Sequence, residues 1–166
     1  MKATMVDEQV KAKARDGVAQ MLKTLMKLTV GPALLLAPGT VSAADRPPGV
    51  MYKNPGCECC DGHAEALRRA GINLRVVESE KLASLKERAG VPAELQGCHT
   101  ILIGGYAVEG HVPVAAVKRL LVQKPAVRGI ALPGMPAGSP GMGGANAAPF
   151  KVMSFGAQGT QLFAVE

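Results

Sequence analysis

The stretch "VMYKNPGCECCDGHAEALRRAG", residues 50–71, contains the clearest secondary-structure signals of the chain. Its first five residues favour a short strand, and the Pro-Gly pair that follows turns the chain. From Cys59 onward, the apolar residues Ala64 and Leu67 fall on one face of a helix that Gly71 ends. The stretch therefore predicts a strand, a turn and a helix in that order.

Three of the four cysteines lie where this turn meets the helix: Cys57, Cys59 and Cys60. Cys57 and Cys60 form a C-x-x-C pair, and a helix N-terminus favours the thiolate of the first cysteine. Cys59 is a further thiol that a redox pair does not need, and three thiolates at this spacing repel one another. A soft cation such as Cu(I) removes that repulsion, whereas structural zinc usually takes ligands from two separated pairs. An iron–sulfur cluster would also accept four cysteines, but the crowded spacing and export as an unfolded chain argue against it.

The next segments continue the alternation of strands and helices. A strand is predicted in "INLRVVES", a helix in "EKLASLKERAG", a hairpin from "CHTILIGG" to "YAVEG", and a helix in "HVPVAAVKRLLVQK". The order β-α-β-α-β-β-α is that of a minimal thioredoxin-like α/β domain with a mixed sheet, here residues 50–124. Its first two strands are parallel because a helix connects them. A Gly-, Pro- and Met-rich loop (125–150) and a C-terminal β-hairpin packed on the same domain (151–166) complete the chain.

The N-terminal segment 1–44 has the pattern of a signal peptide, and residues 45–49 form a linker. Lys23 and Lys27 precede an apolar run, and small residues follow it before a cleavage site after Ala43 or Ala44. The apolar run is shorter than the roughly 20 residues that span a bilayer, so we expect export and no membrane attachment after cleavage. An uncleaved membrane anchor is the alternative. The candidate translation starts are Met1, Met5 and Met21.

The charge of the chain gives little support for nucleic-acid binding. The formal net charge is +6, but segment 1–44 carries six basic and three acidic residues, so half of that charge belongs to the leader. No basic run follows, and only 3% of the residues are aromatic.

The stretch "GCHTILIGGYAVEGHVP", residues 97–113, aligns with the second half of a glutaredoxin-like domain. In that family the loop before the strand carries a cis-proline that touches the active-site cysteine; here Cys98 and His99 occupy it. The same register brings His111 to the start of the last helix, so three separate segments converge on one site. Strand alternation predicts that His99 points away from the site if Cys98 faces it. His63 is predicted to be solvated or to cap its helix, and a buried apolar role is the alternative for Cys98.

The motifs "MYKNPGCECCDGH", "GVPAELQGCHTILIGGYAVEGHVP" and "GIALPGMPAGSPGM" resemble those of the CopG-like proteins, across nearly all of residues 50–142. These are periplasmic proteins associated with bacterial copper and heavy-metal resistance. The resemblance implies a thioredoxin-like fold, a periplasmic location and a Cu(I) site that can be multinuclear. It also implies a redox role toward copper, and copper ions and other periplasmic copper-resistance proteins as partners. The ligand set that it implies is Cys57, Cys59, Cys60 and Cys98.

The leading hypothesis is a periplasmic Cu(I)-binding protein in which Cys57 and Cys60 also exchange electrons. His111 matches the family motif "GHVP" as a further ligand or a neighbour of the ligands. Met135 and Met142 offer thioethers that could shuttle or shield Cu(I), and loop packing is the alternative. Two rival functions are a metal-free thiol–disulfide oxidoreductase and a passive copper chaperone or storage protein.

Overall fold

The computed structural model describes residues 48–166, and the predicted signal peptide lies outside the described residues. These residues form seven strands and three helices, with a 3-10 turn before the third strand. The strands are β1 (Gly49–Lys53), β2 (Leu74–Glu78), β3 (His99–Ile103), β4 (Tyr106–Glu109), β5 (Gly129–Ala131), β6 (Lys151–Phe155) and β7 (Gln161–Val165). The helices are α1 (Glu58–Arg69), α2 (Leu82–Ala89) and α3 (Val114–Gln123), and the 3-10 turn is Ala93–Leu95.

The predicted α/β class with a mixed sheet is confirmed. The strands form one sheet in the order β2-β1-β3-β4-β5-β6-β7, in which β1 pairs parallel with β2, as the helical connection requires. Strands β3 and β4 form the predicted hairpin, and β6 pairs antiparallel with β7.

Two details differ from the prediction. Strand β5 lies inside the segment predicted to be a loop, where it pairs parallel with β4 and antiparallel with β6. Its three residues, Gly129–Ala131, are too few to show a period in a Gly- and Pro-rich context. The helix predicted in "HVPVAAVKRLLVQK" begins later than predicted, because Pro113 is its N-cap residue and has extended backbone angles.

The sheet carries α1 and α3 on one face, where the larger apolar cluster lies. Leu67 of α1 and Leu120 of α3 pack with Met51, Ile101 and Val108 of the central strands, and all five are buried. A smaller cluster on the other face includes residues of the 3-10 turn and of strands β4 to β6: Leu95, Ala107, Ala131 and Phe155. Among residues 48–166, no helix has both the length and the apolar character of a membrane span.

Candidate metal centre

Strand directions bring the cysteine segments to one edge of the sheet. Strand β1 ends at Lys53, which pairs with His99 at the start of the antiparallel strand β3. Thr100 of β3 pairs in turn with Glu109 at the end of β4. The turn after β1, the loop before β3 and the loop after β4 therefore meet, as the sequence register predicted.

The four cysteine sulfurs form a compact group at this edge. Cys57 is the N-cap residue of α1, and a disulfide joins it to Cys60 in the first turn of the helix. Cys59 Sγ lies 3.5 Å from Cys57 Sγ, and Cys98 Sγ lies 3.4 Å from Cys60 Sγ. All four sulfurs lie within 4.8 Å of one another, so Cys98 does reach the C-x-C-C turn.

These sulfurs offer a donor set for a soft cation. Cys60 is fully buried, whereas the other three cysteines keep partial contact with solvent. When the disulfide is reduced, four thiols surround one small volume, a set that suits Cu(I) better than harder divalent ions. In the disulfide state, Cys59 and Cys98 are the two free cysteines among the described residues.

The three histidines of the chain form a second group behind the sulfurs. His63, His99 and His111 are all 0% exposed, and their ring centroids lie 4.8 to 5.4 Å apart. His63 Nδ1 lies 2.8 Å from His99 Nε2, and His63 Nε2 lies 3.0 Å from the carbonyl oxygen of Val112. The prediction of a solvated or capping His63 is therefore wrong. Its spacing of three residues from Cys60 on one helix is the signal that could have indicated its position.

His99 also lies at the site, contrary to the expectation from strand alternation. Its Nδ1 is 3.3 Å from Cys98 Sγ. The alternation did not apply because β3 begins at His99 itself, so Cys98 belongs to the preceding loop. His111 Nε2 lies 3.1 Å from the same sulfur. Cys60, Cys98, His99 and His111 consequently form a second group of donors within 4.8 Å of one another.

Backbone carbonyls determine which ring nitrogens carry protons in the neutral histidines. The Val112 carbonyl only accepts, so His63 donates from Nε2 and its Nδ1 accepts a hydrogen bond from His99 Nε2. His99 Nδ1 then presents a lone pair to Cys98 Sγ. His111 Nδ1 donates to the Pro140 carbonyl over 2.8 Å, so its Nε2 also presents a lone pair to that sulfur.

Burial is the main cause of the electrostatic shifts at this site. It lowers the pKa of His63 to about 4, with a smaller contribution from His111, and it lowers the pKa of His99 well below its usual value. The Gly110 backbone acts on the His99 pKa in the opposite direction but is the weakest of its influences. Burial, followed by the nearby Cys59, raises the pKa of Cys98 to about 12. The Cys98 thiol is therefore protonated at neutral pH and faces two neutral imidazoles.

The Gly- and Pro-rich segment covers the start of α1. Gly141 has φ +87°, and a Cβ atom there would collide with the backbone of Cys59 and His63. A Cβ on Gly62 would lie 3.0 Å from Gly141 Cα, so the two backbones are in direct contact. Because β5 runs parallel to β4, the chain leaves β5 toward the site and returns over it.

The two methionines of this segment differ in exposure. Met142 directly follows Gly141 and is half-buried, and its backbone N–H donates to Ser139 over 2.8 Å. Met135 has φ +45° and is 40% exposed. Their roles as sulfur donors stay predictions.

Comparison with known proteins gives a consistent result. The model of a family described as a protein of unknown function, DUF411, matches residues 95–142. A solved structure named copper resistance protein CopG, form 2, is 31% identical, with a TM-score of 0.66 over 72% of this chain and 99% of that chain. Form 1 is 30% identical, with a TM-score of 0.67 over 74% and 98%. No curated protein matches. The chain belongs to the family of CopG-like copper-resistance proteins.

Proposed function

We propose that this protein binds Cu(I) through Cys57, Cys59, Cys60 and Cys98 after export to the periplasm. The observation that carries the proposal is the proximity of the four sulfurs, all within 4.8 Å of one another. Thiolates at this separation can bridge several soft ions, so the site suits more than one Cu(I) ion. Copper is here the cargo or substrate of the protein.

His99 and His111 place two further donor nitrogens beside the Cys98 sulfur when copper binds. A thiol binds metal as a thiolate, so each bound ion releases protons. Cys98 has a raised pKa, and the unprotonated nitrogens of His99 and His111 lie 3.3 and 3.1 Å from its sulfur. These nitrogens can complete the coordination of an ion that Cys98 holds, and the Cys98 proton then leaves to solvent because burial lowers the pKa of both His99 and His111.

A redox role is supported by the Cys57–Cys60 disulfide beside the two free thiols. Two thiolates can give one electron each to two Cu(II) ions, which leaves one disulfide and two Cu(I) ions. The reverse step reduces the disulfide at the expense of two Cu(I) ions. A metal-free thiol–disulfide oxidoreductase would use the same pair, but it leaves the convergence of Cys59 and Cys98 unexplained.

Anaerobic Cu(I) titration of the reduced protein, followed by native mass spectrometry, tests the copper site. We expect bound Cu(I), and we expect Cys98→Ser to hold fewer ions and to lose them faster to a Cu(I) chelator, with unchanged circular dichroism. Serine is close in size but offers a hard oxygen. Equal copper content in both proteins would remove Cys98 from the site. Zinc retained against a Cu(I) challenge would refute the choice of metal.

The redox role has its own experiment. The reduced protein is mixed anaerobically with Cu(II), and loss of the Cu(II) electron paramagnetic resonance signal is measured against thiol content. We expect two Cu(II) ions reduced for each disulfide formed, and we expect peptide mapping to find that disulfide between Cys57 and Cys60. Copper binding without reduction would leave the passive chaperone or storage function.

The periplasmic location is tested by N-terminal sequencing of the protein from that fraction. We expect a chain that begins after Ala43 or Ala44. An intact leader on cytoplasmic protein would contradict export.

A further inference from the structure

The loop that carries Cys98 lacks the proline expected at this place in a glutaredoxin-like domain. Gln96, Gly97 and Cys98 connect the 3-10 turn to β3, and no peptide bond among residues 48–166 is cis. Glycine is the most flexible residue, so this sequence does not fix the loop by itself. Some other feature must hold the Cys98 sulfur 3.4 Å from that of Cys60.

A buried ion pair forms hydrogen bonds to the backbone of this loop. The pair lies on the face of the sheet opposite to α1 and α3. Lys86 of α2 and Glu109 of β4 form a salt bridge, and their side chains are 5% and 0% exposed. Lys86 Nζ donates to the Gly97 carbonyl over 3.0 Å, and Glu109 Oε1 accepts from the Gly97 N–H over 2.7 Å. The pair therefore holds the peptide groups on both sides of Gly97, the residue before Cys98.

Thr100 completes the network and links it to the sheet. Its Oγ1 accepts from Lys86 Nζ over 3.3 Å and donates to Glu109 Oε2 over 2.6 Å. Lys86 thus uses all three of its donors, and both carboxylate oxygens of Glu109 have partners. The contact also requires a small residue at position 97, because a Cβ there would lie 2.9 Å from Gly110 Cα.

We propose that Lys86, Glu109 and Thr100 are positioning residues that hold Cys98 over the C-x-C-C turn, in the place that a cis-proline has in related domains. This inference rests on the proposed function for the importance of Cys98, but not for the geometry of the clamp. We call the three residues the Gly97 clamp. Positioning is a better explanation of the clamp than stability, because a buried ion pair can often be replaced by apolar residues without loss of stability.

A positioning role and a stabilising role can be separated by a variant that keeps the fold but loses the contacts to Gly97. The double replacement Lys86→Met with Glu109→Leu removes the hydrogen bonds to the Gly97 backbone but leaves no unpaired buried charge. The parent for the test is Cys57→Ser/Cys59→Ser, in which Cys60 and Cys98 are the two remaining cysteines. The equilibrium of their disulfide with glutathione measures how often the two sulfurs meet, since it reports their effective concentration.

We expect the double replacement to lower this equilibrium constant by about tenfold or more, because a small displacement of a reacting group strongly reduces effective concentration. Val152→Ala in β6 is the matched control: it opens the core away from the loop and should leave the constant within about twofold of the parent. A clamp variant that stays folded and matches the parent would overturn the proposal.

Thr100→Val covers the case in which the double replacement does not fold. It removes one hydroxyl and keeps the ion pair, and we expect a smaller decrease in the same constant, with partial recovery in Thr100→Ser. If the double variant does not fold, an unchanged constant in Thr100→Val refutes the clamp. No copper is present in these measurements, so a protein that failed to bind Cu(I) would refute the proposed function and leave this result standing.

Discussion

Two buried lysines hold the two halves of the site, one from each face of the sheet. Lys53 at the end of β1 has its Nζ 2.9 Å from Asp61 and 3.2 Å from Glu78, and both carboxylate side chains are 56% exposed. Lys86 on the other face pairs with Glu109, which is 0% exposed. The two lysine side chains are equally buried, at 5% exposed each, and the difference lies in their partners.

Each lysine also contacts a carbonyl group beside the cysteines. Lys53 Nζ lies 3.4 Å from the Cys57 carbonyl, and Lys86 Nζ lies 3.0 Å from that of Gly97. Exposed carboxylates stay hydrated whether or not they are paired, so the interaction with Lys53 is screened and replaceable. The carboxylate of Glu109 loses its hydration on folding, so water cannot replace Lys86 as its partner. The hydration of the partner carboxylate therefore determines how much stability is lost when one charge of the pair is removed.

The largest expected effect is at Glu109. Glu109→Gln keeps the shape of the side chain but leaves Lys86 buried without a counter-charge. Removing one member of a buried pair typically costs about 3–5 kcal/mol. Urea unfolding of the metal-free protein should show this loss in the free energy of unfolding.

The double replacement Lys86→Met with Glu109→Leu is the control for that prediction. It should recover most of the loss, because no unpaired charge remains. If Glu109→Gln were as stable as the wild type, burial of the partner carboxylate would not make the Lys86 ion pair more important for stability than that of Lys53.

The second prediction concerns Lys53. Lys53→Met removes the ammonium group but leaves Asp61 and Glu78 in contact with water, so no buried charge is stranded. We expect a loss of about 1 kcal/mol, the size of a hydrogen-bonded, partly screened interaction. The same unfolding measurement checks it, and a loss equal to that of Glu109→Gln would contradict the comparison.

The sequence shows the fold better than it shows these buried polar groups. Periodicity and turn residues identified the elements up to α3, because each of them covers several periods of its own pattern. Strand β5 was missed because its three residues owe their conformation to β4 and β6. The cysteine group was predictable since β1, β3 and β4 bring their ends together by topology alone.

Long-range packing determines the rest of the site. The spacing of His63 from Cys60 places both on one face of α1, but the partners that bury His63 (His99 and Val112) are far away in the sequence. Lys86 lies four residues after Leu82, on the apolar face of α2. Glu109 lies two residues after Ala107, so both side chains point to the same face of β4. Those spacings were signals of burial, but charged residues are almost never fully buried without a partner, and the partner was not visible in the sequence.

The third prediction uses alkaline pH to separate Lys53 from its environment. The hydrogen bond to Asp61 is the main cause that raises the pKa of Lys53 above its ordinary value of 10.5, against the effect of burial. A raised pKa means that the folded state keeps this proton when the unfolded state has lost it. The stabilisation is therefore complete below pH 10.5 and is lost as the pH rises through the folded value.

Urea unfolding as a function of pH above 10 measures this loss. The decline should be less steep in Lys53→Met, where the group is absent, and the two curves should run parallel near neutral pH. Equal slopes for the two proteins at alkaline pH would mean that Asp61 and Glu78 do not raise the pKa of Lys53 in the folded state.

The smallest expected effects are those of the two exposed carboxylates taken singly. Asp61→Asn leaves Glu78 3.2 Å from Lys53 Nζ, and Glu78→Gln leaves Asp61 at 2.9 Å, so either one still balances the ammonium charge. We expect each change to lower the free energy of unfolding by about 0.5 kcal/mol or less. In about 1 M salt, where the screening length is about 3 Å, both differences should disappear, whereas that of Glu109→Gln should persist because its surroundings exclude salt. A salt-sensitive Glu109→Gln or a salt-resistant Asp61→Asn would show that exposure of the partner does not govern the energy of these two lysines.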